Sequence, residues 1–402
     1  MVTPSAQPNE PERALGDATL AVHVGNTIDD GTGAVRTPLT LSNSYALPYD
    51  PREVDWSVPD QLLYTRTSGI NQLALQRKIA ALEGAESAVV LGSGVAATHA
   101  VLFTYLSSGD HVVVSKEIYE ASYNLFVELL PRKFGIHATL VDIADLEAVR
   151  AAIRPETRLV FTETIANPTT TIADLPALAA IAHAHDALLV VDATYTPPPR
   201  FRSLEHGADL VIHSLTKYIN GHGDALGGAV AGRTSLIDPI KQQAMVDVGG
   251  VISPFNAWLI QRGTVTLPLR LERIVASAQR IAEWLEADPR IDWVRFTGLA
   301  AHPQRELASR LFPGGATGMM AFAPVGGPER LNAFVSKLRL ITSATSFGHD
   351  ETLIVHIGGV GERQSLYPEP FPATGLLRLS VGLEDVDDLI ADLDEALAAT
   401  EP

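Results

Sequence analysis

The chain has 402 residues, with 47 acidic and 30 basic side chains and a formal net charge of −17. This excess of negative charge disfavours nucleic acid and anionic membranes as partners, and no apolar run reaches the roughly 18 residues of a membrane-spanning helix. The sequence contains no cysteine, which excludes disulfides, thiol catalysis and cysteine-ligated metal sites. The polar N-terminus lacks the basic start and apolar core of a signal peptide. We therefore expect a cytoplasmic protein of about two to three domains.

The first 60 residues predict an extended N-terminal arm. Residues 1–17 are polar and contain three prolines, which favours disorder. Residues 18–60 mix short apolar pieces with turn signals rather than forming a compact unit. A helix is predicted from Asn71, because apolar residues recur at helical spacing as far as Leu82 and Gly84 follows.

Strands and helices then alternate along the chain. The predicted strands are Ala88–Leu91, His111–Ser115, Ala138–Val141, Arg158–Thr162, Leu188–Val191 and Leu210–His213. The predicted helices are Val95–Leu106, Ala121–Lys133, Leu146–Ile153 and Leu175–His185. Several strands are continuously apolar, as expected when helices cover both faces of a sheet. The pattern predicts an α/β fold with a mostly parallel sheet, whose ligands bind at the carboxyl ends of the strands.

The pattern changes after Pro254 to that of a smaller α+β domain. Phe255–Leu285 predicts one long helix, or two helices broken at Pro268. Further strands are predicted at Trp293–Phe296, Gly318–Phe322, Leu340–Thr342, Leu353–His356 and Leu376–Val381, with helices at Pro328–Leu338 and Val386–Ala399. The predicted divisions are therefore an arm over 1–60, a large domain over 61–255 and a C-terminal domain over 256–402.

The turn after the apolar strand Leu210–Ile212 carries the strongest chemical signal. It presents Ser214, Thr216 and Lys217 ahead of a glycine-rich segment. A lysine at the end of a buried strand is poorly solvated, so its neutral amine becomes accessible and can form a Schiff base with a carbonyl. The two hydroxyls can reach one phosphate. This combination predicts pyridoxal 5′-phosphate (PLP), whose aldehyde needs a lysine and whose phosphate needs donors.

Three other positions offer partners for such a cofactor. The turn Gly92–Val95 opens a helix, where backbone N–H groups bind anions, although most such turns only connect elements. Asp192 ends a strand and can pair with a protonated pyridine nitrogen, or else cap a helix or form a salt bridge. Tyr119 follows a strand and can stack on a flat ring, or be simply half-buried.

Arg378 lies inside an apolar strand, where a guanidinium is costly unless it is paired. Its fork suits the carboxylate of an amino-acid substrate, and an internal carboxylate is the alternative partner. His213 is expected to be a packed histidine rather than a site residue. The twelve histidines show no metal-binding spacing, so no metal site is predicted.

Five segments together resemble the Cys/Met-metabolism family of PLP-dependent enzymes, whose members include methionine γ-lyase, cystathionine γ-lyase and cystathionine γ-synthase. The resemblance covers about residues 18–400. The segments are Ser214–Asp224, Glu163–Thr169, Val190–Tyr195, Ser253–Leu259 and Arg378–Asp385. It implies the type I fold of PLP-dependent transferases: an arm, a large PLP domain and a smaller C-terminal domain. It also implies a homotetramer built from two catalytic dimers. Within each dimer, the two subunits would share their active sites.

The resemblance implies a role for each matching residue. Lys217 holds PLP covalently and moves protons, Asp192 pairs with the ring nitrogen, and Tyr119 stacks on the ring. The residues implied in phosphate binding are Ser93, Gly94, Val95, Ser214 and Thr216, with Tyr64 and Arg66 reaching the phosphate of the neighbouring subunit. Those implied in holding the substrate carboxylate are Asn167, Ser346 and Arg378.

The sequence departs from the family pattern at Ser68–Asn71, at Glu120 with Ala121, and at Thr345. We expect these positions to surround the substrate's distal end. Glu120 suggests a substrate with a basic distal group, such as the guanidinooxy group of canavanine; the alternative is that it faces solvent or pairs with an arginine.

Our leading hypothesis is γ-elimination from an L-amino acid such as methionine, cystathionine, a homoserine derivative or a canavanine-like compound. In it Lys217 removes the α-proton and Tyr119 protonates the leaving group. The products would be a 2-oxoacid or a homoserine-type product, ammonia and the leaving group. The alternatives are γ-replacement, as in cystathionine γ-synthase or O-acetylhomoserine sulfhydrylase, and a nucleotide-binding α/β module without PLP chemistry.

Overall fold

The computed structural model describes residues 14–55, 60–358 and 364–400. The predicted disorder of residues 1–13 lies outside the described residues. Within the described ranges, none of the helices combines the length and apolar character needed to cross a bilayer.

A seven-stranded sheet forms the centre of the first part of the chain. Its strands are β1 (Ser87–Leu91), β2 (His111–Ser115), β3 (His137–Val141), β4 (Thr157–Glu163), β5 (Leu188–Asp192), β6 (Leu210–Ser214) and β7 (Gly228–Gly232). They lie in the order β1-β7-β6-β5-β4-β2-β3. β7 runs antiparallel to both of its neighbours, whereas the pairs from β6 to β3 are parallel. The α/β fold with a mostly parallel sheet is therefore confirmed.

Helices cover both faces of this sheet, which explains why its central strands are buried and apolar throughout. They are α2 (Ile70–Glu83), α3 (Gly94–Tyr105), α4 (Glu120–Asn124), α5 (Leu130–Phe134), α6 (Leu146–Ala152), α7 (Leu175–His183) and α8 (Thr234–Ile240). Two π-helical segments, Leu125–Leu129 and Lys241–Val248, and the 3₁₀ turns Pro51–Glu53 and Ser203–His206 complete this part.

A second sheet of five strands follows in the order β10-β11-β12-β9-β8. Its strands are β8 (Ile291–Arg295), β9 (Met319–Pro324), β10 (Thr342–Ser343), β11 (Leu353–Ile357) and β12 (Leu376–Ser380). The accompanying helices are α9 (Pro254–Thr264), α10 (Leu267–Ala287), α11 (Arg305–Leu311), α12 (Pro328–Val335), α13 (Phe371–Thr374) and α14 (Val386–Ala398), with a 3₁₀ turn at Gln364–Leu366. The break between α9 and α10 lies just before Pro268, which occupies the first turn of α10.

The prediction of an extended arm over residues 18–60 is wrong for its first residues. Asp17–His23 form a helix, α1, whose Ala21 is fully buried. The buried Lys78 of α2 donates a hydrogen bond from Nζ to the carbonyl of Ala21 at 2.6 Å. A seven-residue helix has little stability of its own, so this tertiary contact explains a helix that local sequence pattern did not predict.

Two further expectations need correction. The helix predicted over Ala121–Lys133 is interrupted by the π-helical segment Leu125–Leu129. The strand predicted over Leu340–Thr342 is reduced to Thr342–Ser343. Both corrections concern local hydrogen-bonding geometry, which a hydrophobic pattern does not specify.

Candidate active site

One cavity of about 590 Å³ lies beside the carboxyl ends of β4, β5 and β6 and is also lined by residues of the second sheet. It collects most of the residues singled out from the sequence. These are Ser93, Gly94, Val95, Tyr119, Glu120, Asn167, Asp192, Ser214, Thr216, Lys217, Ser346 and Arg378. Strand ends thus converge on one pocket, as expected for an open α/β sheet.

Lys217 enters this cavity from the turn after β6. Its Nζ donates a hydrogen bond to Ser346 Oγ at 2.7 Å and lies 5.2 Å from the ring centre of Phe347. Burial, assisted by the charge of Arg378, lowers the pKa of Lys217 to about 8. About a tenth of the amine is therefore neutral at pH 7, and this is the form that attacks an aldehyde.

Asp192 lies at the end of β5 and accepts a hydrogen bond from the Thr194 N–H at 2.9 Å. Burial raises the pKa of this carboxyl group, while the hydrogen bonds from Thr194 oppose the shift. A buried carboxylate is costly without a cationic partner. The protonated pyridine nitrogen of PLP would supply that cation, so Asp192 fits the cofactor's ring end.

Another part of the cavity wall has the features of a phosphate site. Ser93 caps the twelve-residue helix α3, with its Oγ accepting from Ala96 N at 3.1 Å. Gly94 is required there, because a Cβ would lie 2.7 Å from Ser214 Cβ. The helix N-terminus and the Ser214 hydroxyl therefore lie close together, and both favour a bound anion. This arrangement fits the phosphate of PLP.

Tyr119 and Asn167 are positioned by one buried carboxylate. The side chain of Glu163 accepts the Tyr119 N–H at 2.6 Å through Oε1 and the Asn167 N–H at 3.1 Å through Oε2. The Tyr119 ring remains 49 % exposed, which leaves its face available to a planar ligand. Sequence reasoning quoted Glu163 only as part of a motif and assigned it no role.

Arg378 projects from β12 into the same cavity. Its Nη1 donates to Asn167 Oδ1 at 3.2 Å and its Nη2 to the Ser346 carbonyl at 2.8 Å. Its Nε has no hydrogen-bond partner, and the described residues place no carboxylate in an ion pair with it. The alternative of an internal carboxylate partner is therefore not supported, and the guanidinium is arranged to receive a carboxylate from a ligand.

Tyr64 and Arg66 do not line this cavity in their own chain. Arg66 donates to the carbonyl of Val246, and Tyr64 is largely exposed. Their expected contact with a neighbouring subunit stays a prediction.

The departures from the family pattern do not all surround the pocket. Glu120 and Thr345 line it, whereas Ser68 and Asn71 are fully buried at the start of α2. Asn71 accepts from the Thr40 N–H at 2.9 Å and donates to the Pro38 carbonyl at 3.0 Å. The expectation that Ser68–Asn71 lies at the distal end of the substrate is wrong for this chain's own cavity, because Ser68 and Asn71 are buried elsewhere and Asn71 holds the arm.

His213 is a packed histidine, as expected. Its Nε2 lies 2.5 Å from Glu83 Oε1, and both side chains are essentially inaccessible to solvent. The cavity wall also contains three aromatic residues to which the sequence reasoning assigned no role, namely Tyr195, Phe347 and Tyr367. No local signal distinguishes these rings from ordinary core residues.

Comparison with known proteins agrees with this geometry. The family model "Cys/Met metabolism PLP-dependent enzyme" matches residues 18–398. The chain therefore belongs to this family, and it is a PLP-dependent enzyme. The alternative of a nucleotide-binding module without PLP chemistry is wrong.

Similarity to individual proteins narrows the choice between γ-elimination and γ-replacement. The chain is 59 % identical to a canavanine γ-lyase of Pseudomonas canavaninivorans, over 96 % of this chain and 97 % of the relative. It is 40 % identical to an L-methionine γ-lyase of Porphyromonas gingivalis, over 95 % of this chain and 97 % of the relative. The solved structure of metB from Corynebacterium glutamicum superposes with a TM-score of 0.88 at 33 % identity, covering 96 % of this chain and 99 % of that chain. These similarities confirm the type I fold, and they confirm a γ-elimination lyase over the γ-replacement alternative.

Proposed function

We propose that the protein eliminates the γ-substituent of canavanine or of another L-amino acid with a guanidinium-like distal group. The observation that carries this proposal is the position of Glu120, which lines the cavity and follows Tyr119 in the chain. A carboxylate can accept two parallel hydrogen bonds from a guanidinium. The identity of 59 % with a canavanine γ-lyase supports the same substrate class.

Each end of such a substrate can be paired with a residue of opposite charge. Arg378, held by Asn167 and the Ser346 carbonyl, presents its guanidinium to the α-carboxylate. We assign the distal group to Glu120, which lines the same cavity. With these two assignments, a cation and an anion match the opposite charges of the substrate and fix its orientation.

PLP, when bound, withdraws electrons from Cα and so stabilises the negative charge left after proton loss. We assign its covalent attachment to Lys217, its ring nitrogen to Asp192, its ring face to Tyr119, and its phosphate to the group Ser93, Gly94, Val95, Ser214 and Thr216. Lys217 acts as the base, because its lowered pKa of about 8 provides a neutral amine.

We assign the proton transfer to the leaving group to Tyr119, which lines the cavity and precedes Glu120 in the chain. From canavanine, cleavage of the Cγ–O bond releases hydroxyguanidine. Addition of one water then yields either 2-oxobutanoate with ammonia, or homoserine.

The test compares kcat/KM for canavanine, methionine, cystathionine and homoserine, with and without Glu120→Gln. Losing one charge-assisted hydrogen bond costs about 1.5–3 kcal/mol, so kcat/KM for canavanine should fall about tenfold or more while that for methionine changes little. Glu128→Gln, an exposed position on the following π-helical turn, is the matched control. Equal turnover of basic and neutral substrates, or an equal loss for both, would overturn the proposal.

We also propose that the two subunits of a dimer share their active sites. In the described residues the only arginine of the cavity wall is Arg378, which lies with the residues assigned to the substrate carboxylate. The phosphate is a dianion, and Arg66 from a neighbouring subunit would neutralise part of it. Mixing Arg66→Ala with Lys217→Ala should restore activity in mixed dimers, because one of their two sites keeps both residues. No recovery on mixing would contradict a shared site.

The remaining proposals rest on the family resemblance and on the cysteine-free composition. They are the homotetrameric state, the domain boundaries after residues 60 and 255, and the cytoplasmic location.

A further inference from the structure

A second cavity, of about 390 Å³, lies between the arm, α2 and α9, and it shares no lining residue with the active-site cavity. Its wall contains four basic side chains, namely Arg36, Lys78, His222 and Arg262. None of the described residues that line it is acidic. The chain as a whole has 47 acidic and only 30 basic side chains, so a wall with cations alone is unusual for this protein and attracts anions.

Lys78 is the most buried of these cations, with 1 % of its surface exposed. Its Nζ donates to the Ala21 carbonyl at 2.6 Å, and within the described ranges it has no second acceptor. An ammonium group has three donors. Burial, followed by the charge of Arg36, lowers the pKa of Lys78 to about 8, so most of the amine is still charged at pH 7. A buried charge is costly without a counter-charge, and a bound anion would supply one.

Arg36 and Arg262 contribute guanidinium groups that are available to a ligand. Both residues are exposed, and neither guanidinium forms an ion pair with any described residue. A guanidinium binds a carboxylate or a phosphate through two parallel hydrogen bonds. The arm and the last turn of α9 therefore each provide a group suited to the same class of ligand.

Hydrogen bonds between α9 and the arm hold this wall in place. Trp258 Nε1 donates to the Thr37 carbonyl at 3.2 Å, and Gln261 Nε2 donates to the Gly25 carbonyl at 2.6 Å. Gln261 is buried, and its Oε1 has no hydrogen-bond partner among the described residues. A buried acceptor without a donor costs free energy, so this oxygen also indicates a missing ligand. A wall that is already ordered lowers the cost of binding one.

We propose that this second cavity binds a small organic anion with at least two negatively charged oxygen atoms, as a phosphate ester or a dicarboxylate has. Its volume lies within the range of small-molecule sites. Lys78 would meet the buried part of the anion, whereas Arg36 and Arg262 would hold its exposed part. His222 belongs to the glycine-rich turn that follows Lys217. The anion would therefore lie next to the turn that carries Lys217, without entering the active-site cavity.

Calorimetric titration of the PLP-loaded enzyme with inorganic phosphate, and separately with succinate, tests this proposal. We expect at least one of the two anions to bind, and Arg36→Gln and Arg262→Gln each to weaken its affinity about tenfold or more. Arg77→Gln is the control, because Arg77 is an exposed arginine of α2 that does not line the cavity. Its affinity should not change. Tighter binding of phosphate would assign the site to a phosphate ester, and tighter binding of succinate to a dicarboxylate.

The outcomes also separate a ligand site from a contact between subunits. No binding of either anion, or an affinity that survives both arginine substitutions, would overturn the proposal. Light scattering gives the mass of the assembly. A smaller assembly in Arg262→Gln, with no anion bound by the parent enzyme, would assign the cations to carboxylates of a second copy of the chain. If a glutamine variant fails to fold, Arg262→Lys serves instead: it keeps the charge but loses the fork, and an unchanged affinity would count against the site.

Discussion

Gly228 packs against the turn that we assign to the cofactor phosphate, so one added methyl group tests that assignment. In Gly228→Ala the new Cβ would lie 2.0 Å from the Ser93 carbonyl oxygen and 2.9 Å from Gly94 N. Real Cβ atoms essentially never approach closer than 3.0 Å. Strand β7 and the Ser93 turn must therefore separate by about 1 Å, because a close-packed interior offers no spare room.

That displacement has a calculable effect on PLP binding. A shift of this size removes one or two hydrogen bonds to a charged phosphate, each contributing about 1.5–3 kcal/mol. The dissociation constant of PLP should therefore rise about tenfold to a hundredfold or more. The measurement is a titration of the apoenzyme with PLP, followed by its visible absorbance.

Gly232→Ala, at the other end of β7, provides the control. Its Cβ would meet the Asp209 carbonyl oxygen at 2.8 Å, far from the phosphate turn. Both variants should lose about 1–3 kcal/mol of unfolding free energy in urea, as overpacked sites do, but only Gly228→Ala should bind PLP weakly. Equal PLP affinity in the two variants would refute the assignment of the Ser93 turn.

Three further outcomes are expected. Tyr119→Phe keeps the stacking ring but removes the hydroxyl that donates the proton, so kcat should fall about a hundredfold or more. The dissociation constant of PLP should not change. An unchanged kcat would exclude the hydroxyl as the proton donor. Arg378→Lys loses the fork to the substrate carboxylate, so KM should rise for every substrate tested while PLP absorbance is retained; a substrate-selective change would argue against carboxylate binding. Burial lowers the pKa of Lys78 from 10.5 to about 8 in the folded protein. Between pH 8 and 10.5 the unfolded chain therefore binds more protons than the folded protein, so the free energy of unfolding rises with pH in this range. Lys78→Met should flatten that rise in urea unfolding measured at pH 8 and 10, and an unaltered slope would contradict a shifted Lys78.

The sequence was most informative where chemistry and topology coincide. Asp192 ends β5 and Lys217 follows the end of its parallel neighbour β6, and the carboxyl ends of such strands meet at one edge of a sheet. Their convergence could therefore be predicted from strand order and residue type alone. Arg378 was recognisable for a different reason, since a charged residue inside an apolar strand needs a partner.

The missed features depend on contacts between distant parts of the chain. Strand β7 has glycine at both ends, which weakens the strand pattern, and Gly228 is needed because Ser93 approaches it closely. The arginines that line the second cavity with Lys78 lie in the arm and in α9, so their convergence could not be inferred from spacing. In each case the neighbour that explains the residue is far away in sequence or depends on an uncommon backbone conformation.

Glu163 has a consequence for how this pocket can change over evolution or by design. Its two carboxylate oxygens hold the backbone of Tyr119, on the cofactor's side, and that of Asn167, on the substrate's side. A substitution that moves the Tyr119 loop therefore also moves the Asn167 loop. A change in substrate preference would then be accompanied by a change in cofactor affinity. New specificity is more readily gained at positions such as Thr345, which lies in the cavity wall outside this shared anchor.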